Sequence, residues 1–101
     1  MDVIRGTTPT ISYLFTKVLV SDITTAILTI SHEKDVILTK TLADATQDRS
    51  HLHWKLTQEE TLAFDKPTVE IMLNWKTADG TRGASRETTY RVRDNRILEV
   101  I

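Results

Sequence analysis

Two segments of the chain alternate apolar and polar residues with a period of two, and this pattern constrains the fold more than any other feature. Residues 51–56 read HLHWKL, and residues 67–77 read PTVEIMLNWKT. Successive side chains of a β-strand point to opposite faces, so this alternation is typical of strands with one face in a core and the other in solvent. Residues 10–16, 24–33 and 35–42 repeat the pattern in weaker form. We therefore predict an all-β protein.

Turn signals between these segments set the number of strands and their arrangement. Asp79-Gly80 supplies residues that tolerate the positive φ angles of a tight hairpin, and residues 33–35 form a short polar link between two strand segments. Residues 82–93 return as a further strand, and residues 96–101 offer a last strand or a tail. Six or seven short strands with a turn about every 8–12 residues predict an antiparallel two-sheet β-sandwich.

Residues 57–63 carry a helix-start signal inside this β pattern. Thr57 is followed three residues later by Glu60, which is the spacing of a capping box. The run Asp65-Lys66-Pro67 ends the helix, because proline disfavours helical backbone in the residue before it. We predict one short helical turn near residues 57–63 that links the two sheets, with Leu62 and Phe64 closing the open end of the core.

Length and composition limit the number of domains and the classes of partner. The chain has 101 residues, no cysteine and a formal net charge of −1. It has the size of one domain, cannot form disulfides, and lacks the basic surplus of proteins that bind nucleic acid or anionic membranes. Neither a secretory signal nor a membrane span is indicated. We predict a single β-sandwich domain over residues 9–101, preceded by an N-terminal arm, residues 1–8, that reaches away from the core.

Few residues suggest chemistry. His51 and His53 lie two apart on a strand, so both project from one face and can ligate a divalent metal if a third ligand comes from elsewhere. The spacing indicates no third ligand, so we predict no metal, no cofactor and no small-molecule substrate. Glu59 and Glu60 are adjacent on a helical turn and point in different directions, which does not suit a catalytic pair. The prediction is a protein that is not an enzyme, and a divalent-metal hydrolase is the enzymatic alternative.

The C-terminal part of the chain is rich in arginine. Simple alternation along one strand places Arg82 and Arg86 on one face and Arg91 and Arg93 on the other. A single basic stripe of the kind that binds nucleic acid is therefore not expected. The pattern favours a solvated or subunit-facing surface.

Both termini carry apolar residues that are candidates for contacts with a partner. One interpretation of residues 97–101 is the last strand of this domain; the other is strand addition or an apolar anchor against a neighbouring subunit. The predicted partner-binding residues are Val3, Ile4, Arg5, Ile97, Leu98, Val100 and Ile101.

Four segments together resemble a known group of proteins. They are IRGTTPT at residues 4–10, LTQEETLAFD at 56–65, TADG followed by AS within 77–85, and RILEVI at 96–101. In this order they resemble small proteins of bacteriophages and prophages that are found among the virion structural and tail genes. The resemblance extends over nearly the whole chain from Arg5 onward. It implies an immunoglobulin-like β-sandwich and a virion or tail-associated structural part, and it assigns no catalytic or ligand residue.

The combined prediction is a non-enzymatic structural component of a bacteriophage particle, in its tail, its tail tip or baseplate, or its neck. It would be made in the host cytoplasm and then become part of the virion. There it would form a homo-oligomer through symmetric contacts and would also bind other phage structural proteins. The alternative is a soluble phage-encoded protein that inhibits or sequesters a host factor, through the face around His51, His53 and Lys55 or through the arginines. Neither prediction involves nucleic acid or a membrane.

Overall fold

A computed structural model describes residues 2–97 and residue 101, and within them the chain forms nine β-strands, one α-helix and two 3-10 turns. The strands are β1 (Asp2–Ile4), β2 (Thr10–Leu14), β3 (Ile23–His32), β4 (Asp35–Thr41), β5 (Thr46–Gln47), β6 (His51–Lys55), β7 (Thr68–Thr77), β8 (Arg82–Ala84) and β9 (Thr88–Arg93). Helix α1 is Gln58–Leu62, and the 3-10 turns are Val20–Asp22 and Leu42–Asp44. The prediction of an all-β protein is confirmed.

The strands form two sheets that pack against each other. The larger sheet has the order β1-β9-β7-β3-β4, and the smaller sheet has the order β2-β6-β5. Strand β8 pairs with residues 74–76 of β7 and β9 pairs with residues 68–71, so the two short strands follow one another along the same edge of β7. Neighbouring strands are antiparallel, except that β1 runs parallel to β9. The prediction counted fewer strands because it included neither β1 nor β5 and treated β8 and β9 as one strand over residues 82–93.

The N-terminal residues belong to the larger sheet, whereas the sequence predicted a projecting arm. Val3 lies opposite Val92 in the parallel pair and is only 2% exposed. The backbone N–H of Arg5 donates to the carbonyl of Arg93 at 3.0 Å and extends this pairing by one residue. The arm prediction was wrong for residues 2–5, because one buried valine and a row of backbone hydrogen bonds hold this segment along β9.

The core lies between the inner faces of the two sheets. Alternate residues of β6 and β7 are buried as their patterns predicted, including Leu52, Trp54, Ile71 and Leu73. Full burial of each large apolar side chain contributes about 1.5–3 kcal/mol, so packing alone stabilises a sandwich that has no disulfide. Trp75 is only partly buried, and its indole lies over Gly83, where a Cβ would overlap the ring.

Helix α1 begins with the predicted capping box. The Thr57 hydroxyl accepts from the Glu60 N–H at 3.1 Å, and the Glu60 carboxylate accepts from the Thr57 N–H at 2.8 Å. Glu60 also forms an ion pair with Lys40 on β4. Burial raises the pKa of Glu60, whereas Lys40 and the Thr57 N–H lower it. The lowering is the larger effect, so the pKa of Glu60 lies below its ordinary value. Phe64 is fully buried and closes the core as predicted, while Leu62 remains partly exposed.

The strand pairing defines two ends of the sandwich. At the end that we call the helical end, Thr68 pairs with Arg91, and residues 5–9, helix α1 and residues 94–97 lie beside this pair. At the opposite end, which we call the loop end, Ile23 pairs with Thr77 between the loops of residues 15–22 and 78–81.

Candidate functional site

Three ionisable side chains meet on the outer face of the smaller sheet. Asp48 Oδ1 lies 3.0 Å from His51 Nδ1, and Asp48 Oδ2 lies 2.9 Å from His53 Nε2. The two imidazole rings are stacked, with centroids 5.3 Å apart and planes inclined by 16°. One ligand atom from each residue can be chosen so that all three lie within 4.8 Å of one another. We call this group the Asp-His-His cluster.

The local fold explains why the three residues converge. Asp48 follows β5, and its Oδ1 accepts the backbone N–H groups of Ser50 at 3.0 Å and His51 at 2.8 Å. A carboxylate that accepts from the residues after it fixes a tight turn, and this turn leads directly into β6. His53 lies two residues beyond His51 on the same strand, so both rings point to the face on which Asp48 sits.

Hydrogen bonding keeps the Asp48 carboxylate ionised. The contact with His53 and the Ser50 N–H hold the pKa of Asp48 well below its ordinary value. Ser12 on β2 lies opposite His53, and its hydroxyl is 2.7 Å from His53 Nδ1. Because a hydroxyl can donate or accept, Ser12 satisfies Nδ1 in either tautomer of the ring. Each atom of the His53 ring that can hydrogen-bond is therefore paired.

The strand pattern indicated the two histidines but not Asp48. The available signal was the run DRSHLH at residues 48–53, in which an aspartate precedes a serine by two positions and the first histidine by three. Such an aspartate is typical of a turn closed by its own side chain. Strand β5 has only two residues, so no alternation revealed the hairpin that brings Asp48 beside β6.

Two of the predicted partner-binding residues make contacts within the chain instead. Val3 is buried in the core. The Arg5 guanidinium donates to the carbonyl of Leu62 at 2.6 Å and lies 3.6 Å from the carboxylate of Asp94. These contacts fasten the N-terminal segment to the helical end. Ile4 is exposed on β1.

The C-terminal candidates that the structure describes are exposed at the helical end. Ile97 is 48% exposed and Ile101 is 83% exposed. The Gln58 side chain on α1 accepts from the Ile101 N–H at 2.9 Å and donates to its carbonyl at 3.0 Å. Leu98 and Val100, and with them the middle of the predicted last strand, lie outside the described residues.

The arginines are arranged differently from the prediction. Arg82 lies opposite Lys76, and Arg91 lies opposite Thr68. Lys76 and Thr68 are an even number of residues apart on β7, so Arg82 and Arg91 share the outer face of the larger sheet. The prediction of opposite faces was wrong because residues 85–87 interrupt the return strand and shift its alternation by one residue.

A groove of about 480 Å³ lies at the loop end, between the loops of residues 15–22 and 78–81. The Ala78 N–H donates to the carbonyl of Asp22 at 3.0 Å and joins the two loops. Leu19 lines the groove and is 65% exposed. The Thr77 hydroxyl and the backbone N–H of Thr81 donate to the carboxylate of Asp79, which lowers its pKa to about 2.

Comparison with protein-family models, curated proteins and solved structures finds no match for this chain. No helix in the described part of the chain combines the length and the apolar character needed to cross a bilayer.

Proposed function

We propose that the chain is a non-enzymatic structural subunit of a bacteriophage particle, located in the tail, the tail tip or baseplate, or the neck. In this proposal it has an immunoglobulin-like sandwich and assembles through symmetric subunit contacts. The main observation in support of assembly is that two isoleucines, Ile97 and Ile101, are exposed at the helical end.

The strand order supports the immunoglobulin-like part of the proposal. Immunoglobulin sandwiches place strands G, F and C, with C′ in variable-type domains, in one sheet and strands B, E and D in the other. Here β3, β4, β7 and the β8–β9 row take the places of C, C′, F and G, and β2, β6 and β5 take those of B, E and D. Strand β1 then corresponds to an A strand that pairs with the G edge.

The surface at the helical end supports association with neighbours. Ile4, Ile97 and Ile101 expose apolar area that a subunit contact would remove from water, at about 25 cal/mol per Å². Strand β1 lies at the edge of the larger sheet, and an edge strand can pair with a further strand. The net charge of −1 leaves little electrostatic repulsion between copies.

The assignment to a phage particle rests on the resemblance of four segments to virion and tail proteins. These segments include residues 56–65, which build the cap and helix α1, and residues 96–101, which contain both exposed isoleucines. The resemblance and the exposed apolar surface thus involve the same end of the molecule.

Light scattering of the full chain tests this assembly across a wide concentration range and at two salt concentrations. We expect a closed oligomer of fixed size that is insensitive to salt, because its contacts are apolar. The double variant Ile97→Ser, Ile101→Ser should be monomeric, while Leu19→Ser, which alters an exposed apolar residue at the loop end, should assemble as the wild type does. A wild-type protein that is monomeric at every concentration would contradict self-assembly.

A truncation after Asn95 separates docking from folding. Strand β9 ends at Arg93, and the Asn95 side chain donates to the carbonyl of Arg5 at 3.0 Å, so the truncated chain keeps this hydrogen bond and all the strands found in residues 2–97. Because these described strands and this hydrogen bond remain, the truncated chain should fold, as judged by circular dichroism, and should remain a monomer. A truncated protein that does not fold would assign residues 96–101 to the core and remove the docking surface.

The groove at the loop end supports a second candidate, a soluble phage-encoded protein that binds and inhibits or sequesters a host factor. Loops at one end of an immunoglobulin-like sandwich are common binding surfaces. Leu19 would then anchor the partner. A pull-down from host lysate should recover one host protein in stoichiometric amount, and Leu19→Ser should lose it. Recovery of the chain in purified particles, with no host partner, would favour the structural subunit.

A further inference from the structure

We propose that Asp48, His51 and His53 form a binding site for a divalent first-row transition metal ion, for which Zn²⁺ is the reference. The site lies on the outer face of the smaller sheet, where His51 pairs with Leu14 at the end of β2 that leads into the loop end. It is therefore separate from the subunit contacts proposed at the helical end. The inference goes beyond a structural role and does not depend on it.

The ligand set defines the class of ion. Two imidazole nitrogens and one carboxylate oxygen suit Zn²⁺, Ni²⁺ and Cu²⁺. Mg²⁺ and Ca²⁺ prefer sites made of oxygen ligands. Three protein ligands are enough to hold Zn²⁺ when water completes its tetrahedral coordination. Asp48 is exposed and both histidines are partly exposed, so solvent can reach this fourth position.

The three ligand atoms lie close enough to converge on one metal ion. Bonds of about 2.0–2.2 Å to a tetrahedral ion place its ligand atoms about 3.3 Å apart. His51 Nδ1 and His53 Nε2 contact different oxygens of Asp48, at 3.0 Å and 2.9 Å, and the three ligand atoms of a site with one carboxylate oxygen lie within 4.8 Å of one another. Binding therefore requires these atoms to draw together by up to about 1.5 Å, which the exposed carboxylate and the partly exposed rings allow. The ion replaces the protons that the carboxylate and the two rings share in these contacts. The turn already fixes the Asp48 carboxylate through two backbone N–H groups.

Ser12 acts as a positioning residue for the metal-bound state. When Nε2 of His53 binds the ion, its Nδ1 carries the proton and donates to the Ser12 hydroxyl, which lies 2.7 Å away. A hydrogen bond from the other ring nitrogen fixes the tautomer and orientation of a metal-ligating histidine. We therefore expect Ser12→Ala to weaken metal binding by about 10-fold, which is the lower end of the effect of losing such a contact.

A purely structural role for Asp48 makes a different prediction. Its Oδ1 closes the turn by accepting two backbone N–H groups, and an asparagine at this position can accept both. If the turn were the only role, Asp48→Asn would not change metal affinity appreciably. If Asp48 is a ligand, the same variant keeps its fold and loses the negative oxygen that binds the ion. The variant thus separates the two roles.

Calorimetric titration of the untagged full chain with ZnCl₂, in a buffer that does not chelate metals, tests the site. We expect saturable binding that His51→Ala, His53→Ala and Asp48→Asn each weaken by more than about 100-fold, because the loss of a direct ligand exceeds the effect of losing an outer contact. MgCl₂ should not compete with ZnCl₂. His32→Ala is the matched control: His32 Nδ1 contacts the carbonyl of Thr68 at 2.9 Å on the larger sheet, so this variant should bind Zn²⁺ as the wild type does.

An NMR titration locates the ion independently. Imidazole resonances of His51 and His53 should move on addition of ZnCl₂, while those of His32 should stay in place. The proposal is overturned if the folded wild type shows no binding up to about 1 mM ZnCl₂, which corresponds to about −4 kcal/mol. It is also overturned if Zn²⁺ binds equally well to the His51→Ala and His53→Ala variants.

Discussion

Replacing Thr61 with valine removes one buried hydroxyl that ties helix α1 to the N-terminal loop. Thr61 is fully buried. Its hydroxyl donates to the carbonyl of Thr7 at 2.8 Å and accepts the N–H of Gly6 at 3.0 Å. Valine has nearly the same shape, so Thr61→Val deletes both hydrogen bonds while the packing around them stays filled.

The expected cost follows from these two contacts. A hydrogen bond contributes about 1 kcal/mol net, so the pair contributes about 2 kcal/mol. The substitution also leaves a partly buried donor and a partly buried acceptor without a protein partner, which raises the cost to about 2–3 kcal/mol. For a domain of this size, such a loss lowers Tm by about 10–15 °C.

Urea denaturation followed by tryptophan fluorescence, at one fixed protein concentration, measures this change. Thr61→Ser keeps the hydroxyl and removes one buried methyl, so it should cost only about 1 kcal/mol. Thr24→Val is the surface control: the Thr24 hydroxyl is exposed and donates at 3.3 Å, so we expect a change within about 0.5 kcal/mol. A Thr61→Val protein as stable as the wild type, or a Thr61→Ser protein as unstable as Thr61→Val, would refute the reasoning.

Three further substitutions test single features of the fold by urea denaturation. Asp79 has a pKa of about 2, below the ordinary value of 3.8, because the Thr77 hydroxyl and backbone N–H groups donate to it. Its contribution to stability is present above the ordinary pKa and is lost as the pH falls through the folded-state value. The difference in urea midpoint between the wild type and Asp79→Asn should therefore shrink between pH 5 and pH 2, and a constant difference would contradict the assignment. Lys34 has a φ of 76°, so Lys34→Gly should raise stability by about 1 kcal/mol, and a lower urea midpoint would show that the turn is not strained. Gly83→Ala should lower stability by about 1–3 kcal/mol, because the added methyl overlaps the Trp75 ring; unchanged stability with unchanged tryptophan fluorescence would contradict this packing.

The elements with a strong local signal were predictable from the sequence. Alternation located β6 and β7, and the spacing of Thr57 and Glu60 located the start of α1. The Glu33-Lys34 link also forms the predicted hairpin, although both residues have positive φ. In each case neighbours in sequence determine the conformation, so a short window of residues contains the required information.

The elements that depend on distant residues were not predictable in this way. Strand β1 has three residues and exists because β9, nearly ninety residues later, offers it an edge. The arginine faces changed because residues 85–87 interrupt a strand that simple alternation treats as continuous. Asp48 is a different case, because a local turn places it beside the two histidines, but the two-residue strand β5 is too short for alternation to reveal that hairpin. Partner choice and register are tertiary properties, and a period-two pattern does not specify them.

Quantitative mass spectrometry of purified phage particles, from cells that encode and express the chain, tests the proposed function most directly. The account predicts that the chain copurifies with the particle at a fixed copy number relative to the major structural proteins, as expected for a subunit of a symmetric assembly. Absence of the chain from the particles, together with its recovery from the host lysate bound to one host protein, would contradict the structural role and identify the chain as a host-factor inhibitor.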